Sequence, residues 1–133
     1  KPAATPPGTL NKALAETLVQ EWLAAKAEAM GKQHDLTALP KVLADPMLSL
    51  WRGRAESAKQ ANEYRLYEHQ VSVSEVRSTA PDRGEVIARI RAVEKIYAQG
   101  SGKLLSQTND PSLTITYRLV KQGDSWRISE KLD

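Results

Sequence analysis

Hydrophobic residues recur at helical spacing through the first 30 positions of the chain. The apolar side chains follow one another at steps of four, four, four, three and four: Leu10, Leu14, Leu18, Trp22, Ala25 and Ala29. Side chains at these steps share one face of an α-helix, and the charged residues of the stretch, Lys26 among them, fall outside that face. We therefore predict a helix over residues 10–30, capped by Thr9 and ended by Gly31.

Two prolines frame a sharp corner after this helix. Pro40 and Pro46 each suit the first turn of a helix, where the missing N–H leaves nothing unpaired, and Asp45 offers an acceptor to the next turn. The pattern predicts a one-turn helix, a corner and a second helix that ends near Gln60. Five side chains are expected to pack inward: Leu39, Leu43, Met47, Leu50 and Trp51.

The hydrophobic period changes to that of a strand from Tyr64 onwards. Tyr64 and Leu66 alternate on one face, whereas Val71 and Val73 are out of phase with them. One extra residue in a strand produces such a slip. We therefore predict a long strand with a bulge at residues 68–70.

The hydrophobic pattern in the middle of the chain is compatible with more than one structure. A turn at residues 81–84 leads into residues 85–97, whose apolar positions fit both a strand and a helix, and the β-branched side chains favour a strand. Residues 100–102 and 106–111 are expected to bracket a mobile connection.

The last part of the chain has the pattern of an antiparallel hairpin. Apolar residues alternate over residues 113–119, residues 121–124 suit a turn, and Trp126 and Ile128 resume the alternation. Helices followed by antiparallel strands predict an α+β fold, with N-terminal helices packed on one face of a curved sheet. Such an arrangement encloses a cone-shaped cavity, which is a natural ligand site.

Composition is typical of a soluble globular domain, with 41% hydrophobic and 26% charged residues in 133. We expect a Pro/Ala-rich linker at residues 1–9, cut from something longer, and a single domain at residues 10–133. The absence of cysteine excludes disulfides, thiolate metal sites and a cysteine nucleophile. No apolar run is long enough to span a membrane. The net charge of +3 is spread among residues of both signs, which argues against nucleic-acid binding.

Few residues suit catalysis or metal binding. His34 and His69 have no carboxylates at ligand spacing, so neither a metal nor a cofactor is expected. Glu68, His69 and Asp124 are the best candidates for an enzyme, but no triad, phosphate loop or carboxylate pair assembles around them. A small-molecule enzyme or ligand-binding domain therefore remains as the alternative function.

Several segments resemble one known family, the intermembrane-space (IMS) domain of chloroplast division proteins and their cyanobacterial ZipN-like counterparts. The most specific is the string LPKVLADPMLSLW of the Pro-framed corner. The resemblance also extends over residues 15–22, 54–55, 64–66, 71–73, 117–119 and 125–128.

This resemblance implies a cone similar to NTF2-like proteins and a non-enzymatic interaction domain within a membrane-anchored division protein. It implies a protein partner from the division machinery, bound through that partner's C-terminal segment. It also implies the plastid intermembrane space in plant relatives and the periplasmic side of the inner membrane in cyanobacteria. A different parent protein would place the domain in the cytoplasm, and paired strand edges would instead make it a homodimer.

Six residues are candidates for partner binding. Trp51 at the corner is the first, because an aromatic ring in a cavity wall anchors a partner side chain. Arg52 and Arg54 follow it and could pair with a terminal carboxylate. The remaining candidates are the aromatic residues of the predicted strands: Tyr64, Tyr117 and Trp126.

Overall fold

Three helices precede four strands in the computed structural model, which describes residues 9–132. The helices are α1 (Lys12–Met30), α2 (Leu39–Val42) and α3 (Met47–Gln60). The strands are β1 (Glu63–Ala80), β2 (Arg83–Ala98), β3 (Leu104–Gln122) and β4 (Ser125–Lys131). They form one antiparallel sheet in the order β1-β2-β3-β4. The predicted α+β fold is confirmed, while residues 1–8 of the predicted linker lie outside the described residues.

The start of α1 differs from the prediction by two residues. Asn11, not Thr9, is the N-cap, and its Oδ1 accepts a hydrogen bond from the backbone N–H of Leu14 at 2.9 Å. Asn and Thr are both good caps, so the sequence alone did not distinguish them. Gly31 ends the helix as predicted, and its N–H donates to the carbonyl of Glu28.

The Pro-framed corner is confirmed and is tied to the last strand. Asp45 accepts hydrogen bonds from the N–H and the hydroxyl of Ser49, at 2.9 and 2.6 Å. The N–H of Ala44 donates to the carbonyl of Ile128 at 2.9 Å, and Arg127 donates to the carbonyl of Pro40 at the same distance. The position of α3 therefore depends on contacts with β4.

The inward packing of this corner is only partly as predicted. Leu39, Leu43 and Met47 are buried. Leu50 is 51% exposed, so that prediction was wrong. The reason is that Met47, Ala55 and Ala58 form the buried face of α3, and Leu50 lies at the flank of that face rather than on it.

The bulge in β1 lies further along the strand than predicted. Pairing with β2 is continuous from Glu63 to Val73, and the register shifts between Val73 and Glu75 and again between Ser78 and Ala80. The prediction at residues 68–70 was wrong because Leu66, which is 50% exposed, lies on the outer face rather than in the core. The bulge is held from α1, since Glu16 accepts a hydrogen bond from the N–H of Val73 at 3.2 Å.

Strand β3 is longer than the sequence indicates. The predicted strand at residues 85–97 is confirmed as β2, but residues 106–111 belong to β3 instead of bracketing a mobile connection. Their side chains are polar and mostly exposed, yet backbone pairing with β2 needs no apolar side chain. The closing hairpin is confirmed, with Gly123 at a φ of 62° in its turn.

The core lies between α1 and the inner face of the sheet. The first helix contributes Val19, Trp22 and Leu23, and the sheet contributes Val73, Val86, Ala88, Ile90, Tyr117, Leu119 and Ile128. The helices therefore pack against the inner face of the sheet.

Close packing near the start of the chain depends on Gly84. A Cβ added there would overlap the Leu10 side chain and lie 2.8 Å from the carbonyl of Arg77.

Candidate functional site

A groove of about 520 Å³ lies between α1, α3 and the strands β3 and β4. We call it the α3 groove. Its apolar lining consists of Trp22, Pro46, Met47, Leu50, Trp51, Ile115 and Tyr117. Its polar lining consists of Lys26, Arg54, Ser129, Glu130 and Lys131.

The wall of the groove is an aromatic cluster built on the core. Trp51 is partly exposed and meets Trp22 edge to face, with 5.1 Å between ring centroids and 67° between planes. Trp22 donates a hydrogen bond from Nε1 to the hydroxyl of Tyr117 at 3.4 Å, and both of these residues are only 2% exposed. A buried, hydrogen-bonded base therefore holds the exposed Trp51 ring in a fixed orientation.

Cations surround this ring. The guanidinium carbon of Arg54 lies 4.7 Å from the Trp51 centroid. The ammonium of Lys26 lies 5.3 Å from the same centroid and 4.4 Å from that of Tyr67, so it sits between two aromatic rings. No ion pair within 4.0 Å involves Lys26, Arg54 or Lys131 within residues 9–132. Glu130 is already 3.3 Å from Arg118.

The surroundings of Lys26 disfavour its charge. Burial lowers the pKa of Lys26 from 10.5 to about 8, and the positive charges of Lys131, Arg54 and Arg65 act in the same direction. Glu94 opposes them without cancelling the effect. Burial is thus the main cause of the lowered pKa of Lys26, and the neighbouring cations add to it.

A second hollow continues the groove along α3. It has a volume of about 770 Å³ and shares Leu50, Trp51 and Arg54 with the first. On its far side it reaches Met30 at the end of α1 and Arg65 on β1. Trp51 thus stands between two adjoining hollows, and its ring helps to line both.

The structure brings together three of the six candidate residues. Trp51, Arg54 and Tyr117 line the α3 groove, although Tyr117 is buried beneath it. The other three lie outside the lining of this groove. Arg52 is exposed on α3 outside the groove, Tyr64 stacks on Tyr97 with 5.2 Å between centroids, and Trp126 is buried beside the start of α1.

Two groove cations were missed by sequence reasoning. Lys26 falls four positions after Trp22, and this spacing places both side chains on one helix face. That signal was present, but the charge of Lys26 made it look like a solvent-facing residue. Lys131 pairs with Tyr117 across β3 and β4, a register that the sequence does not reveal.

A polar cluster on the inner face of β1 and β2 adjoins Lys26. His69 stacks on Tyr67 at 5.3 Å, and Arg65 forms an ion pair with Glu94 at 3.1 Å. Burial, followed by the charge of Lys26, lowers the pKa of His69 to about 4. Burial and then Glu94 raise the pKa of Tyr67.

The other enzyme candidates do not join this cluster. Glu68 is exposed, whereas its neighbour His69 is partly buried, which is the alternation expected of a strand. Asp124 is exposed in the hairpin turn. Within residues 9–132, no three His, Cys, Asp or Glu side chains are grouped so that they could hold a metal ion. No helix in that range is long and apolar enough to cross a membrane.

The arrangement of helices over an antiparallel sheet places the domain in the NTF2-like fold class. A ketosteroid isomerase-like protein from Erwinia carotovora atroseptica SCRI1043 is similar, with 16% identity, a TM-score of 0.56 and coverage of 93% of this chain and 99% of that chain. A SEC-C motif containing protein from Rhodopseudomonas palustris is similar with 18% identity, a TM-score of 0.51 and coverage of 92% and 80%. At these identities the likeness concerns the fold alone.

The comparisons also identify the family to which the chain belongs. The model of the ARC6-like IMS domain matches residues 15–129, and the chain belongs to this family. The crystal structure of the intermembrane space region of the chloroplast protein ARC6 matches with 25% identity, a TM-score of 0.84 and coverage of 92% of this chain and 95% of that chain. No curated protein gives a significant match. The resemblance drawn from the Pro-framed corner is therefore confirmed.

Proposed function

We propose that this domain is a non-enzymatic interaction module of a division-type protein, and that its α3 groove receives a segment of a partner protein. The observation that carries the proposal is the Trp51 ring, partly exposed and held in place by Trp22. Large aromatic residues that are fixed in a cavity wall supply much of the affinity of protein interfaces. Family membership supports a role connected with division.

The shape of the groove suits an extended chain. The depression continues on both sides of Trp51, because the two hollows share Leu50, Trp51 and Arg54. A metabolite-binding site would more often be enclosed, with its polar groups converging on one point. The histidine with a shifted pKa, His69, is absent from the groove lining. The enzyme alternative thus has less support than peptide binding.

We also propose a parent protein and a cellular compartment for the domain. By analogy with the ARC6 region, residues 10–133 would form one domain of a membrane-anchored parent, preceded by a linker at residues 1–9. It would lie on the far side of the membrane from the division ring, which is the periplasmic side in a cyanobacterium. A C-terminal segment of a division partner is the first candidate occupant, and self-association through strand edges is the competing one.

Photo-crosslinking in the native cell tests the proposal. A photoreactive residue placed at Leu50, on the groove rim, should form adducts with one partner protein. The same residue at Arg52, on α3 but outside the groove, should not form them. The partner is then identified by mass spectrometry, and its binding is measured by calorimetry.

Substitution of the anchor completes the test. Trp51→Ala should weaken binding of that partner by about tenfold or more, whereas Arg52→Ala should leave it within about twofold. Circular dichroism verifies that Trp51→Ala is folded, and Arg54→Glu serves as a second groove variant if it is not. Equal adducts from both positions, or unchanged affinity in the folded groove variants, would contradict the proposal.

A further inference from the structure

The α3 groove carries positive charge that an apolar partner would leave unmatched. We propose that the bound segment presents an acidic side chain next to an apolar one. Lys26 receives the carboxylate while the apolar side chain lies against Trp51. This inference rests on the proposed function, because it names the chemistry that the same groove would recognise.

The charge comes from three separate elements. Lys26 lies on α1, Arg54 on α3 and Lys131 on β4, and all three line the groove. Within residues 9–132 none of them forms an ion pair, and the carboxylate of Glu130 is engaged by Arg118. Cations held together in a partly desolvated site repel one another. A negatively charged occupant would remove that repulsion, which makes charge complementarity the basis of selection.

Lys26 is the cation best placed to make the contact. Its ammonium is located by the rings of Trp51 and Tyr67, at 5.3 and 4.4 Å from their centroids. An ammonium has three N–H donors, and Lys26 donates to no acceptor among the described residues. A side chain that packs on the Trp51 ring would carry its sequence neighbour towards these donors.

A bound segment has room on both sides of the Trp51 ring, because Leu50, Trp51 and Arg54 line both hollows. The proposed contact is made by a side chain within the segment. A terminal carboxylate at Lys26 is the alternative, and the experiment below distinguishes the two.

The contact should depend on pH. Six titratable or charged groups face Lys26: Glu94, Lys131, Arg54, Arg65, Tyr67 and His69. Burial, together with the positive charges in this set, lowers the pKa of Lys26 to about 8. A carboxylate beside the ammonium would raise that pKa. Affinity for an acidic segment is therefore expected to fall as the pH rises through about 8.

Peptide display on the full chain tests the inference. Random peptides held at both ends within a carrier protein are selected on the wild-type protein at pH 7. Enrichment of an Asp or Glu adjacent to an apolar residue is expected. The best peptide and its Glu→Gln or Asp→Asn counterpart are then compared, and the acidic form should bind about tenfold more tightly, as for a charge-assisted hydrogen bond.

Two lysine variants decide whether Lys26 is responsible. Lys26→Gln should reduce the preference for the acidic peptide to below about twofold, whereas Lys59→Gln, an exposed position outside the groove, should retain it. The wild-type preference should also decline between pH 7 and about 9.5. A preference that survives in Lys26→Gln would overturn the inference.

The remaining outcomes separate this inference from the proposed function. Peptides that need Trp51 but show no acidic residue would overturn the inference and leave the partner groove standing. Acidic selection seen only with free peptide C-termini would assign the carboxylate to the terminus, which also overturns it. Failure to select any peptide that depends on Trp51 would count against both proposals.

Discussion

Replacement of Lys26 by methionine should stabilise the protein at neutral pH. The ammonium is partly buried, and its pKa falls from 10.5 to about 8 because burial disfavours the charged form. One unit of pKa corresponds to about 1.36 kcal/mol, so the charged form is disfavoured by about 3 kcal/mol below pH 8. Contacts with the rings of Tyr67 and Trp51 return about 1–2 kcal/mol of this. We therefore expect Lys26→Met to raise the free energy of unfolding by about 1–2 kcal/mol.

The gain in unfolding free energy of Lys26→Met over the wild type should disappear at high pH. The folded-state pKa of Lys26 is lower than that of the unfolded chain, so between about pH 8 and 10.5 the unfolded state binds more protons. Stability of the wild type therefore rises with pH through this window, whereas Lys26→Met lacks the rise. The raised pKa of Tyr67 lowers the stability of both proteins above its ordinary value of 10.0, so the comparison should stop there.

Urea denaturation followed by circular dichroism at pH 7 and at about pH 9.5 measures both effects. Lys59→Met, at an exposed position, provides the control for loss of a lysine charge. A Lys26→Met protein that is less stable than the wild type at pH 7 would refute the reasoning. So would a difference between the two proteins that is the same at both pH values.

Three further predictions concern packing, capping and titration. Gly84→Ala should destabilise the protein by about 2 kcal/mol or more in urea denaturation, because the new Cβ would lie 2.8 Å from the backbone carbonyl of Arg77 and overlap the Leu10 side chain; a change below about 0.5 kcal/mol would contradict this. Asn11→Ala should cost about 1 kcal/mol through loss of the cap, while Thr9→Ala should cost almost nothing, and equal effects would restore Thr9 as the cap. His69 should titrate near pH 4 in NMR spectra, and stability should rise from about pH 4 to 6.5 because the unfolded chain binds more protons there; an ordinary His69 pKa would exclude its burial.

Local patterns predicted most of the elements. The stripe beginning at Leu10 and the two prolines of the corner each carry their information within a few residues, and both predicted structures are present. Features that depend on which face of a strand points to the core were harder to predict from the sequence. The phase difference between Leu66 and Val71 predicts a bulge between them, but Leu66 lies half exposed on the outer face of a regular strand and the register shifts only after Val73.

The candidate site was predictable only in part, for a related reason. Trp51 and Arg54 are neighbours on α3, and their position beside the cavity follows from the corner. Lys131 reaches the same groove through strand register, which a single sequence does not encode locally. Trp126 is a candidate as an aromatic residue of a predicted strand, but its side chain is part of the core and lies outside the lining of the groove.

The hydrogen bonds between the corner and β4 make the two walls of the groove depend on each other. One wall comes from the helices and the other from β3 and β4, and Ile128 and Arg127 tie the corner to β4. A change that detaches β4 would therefore also release the corner that positions α3, so both walls would be lost together.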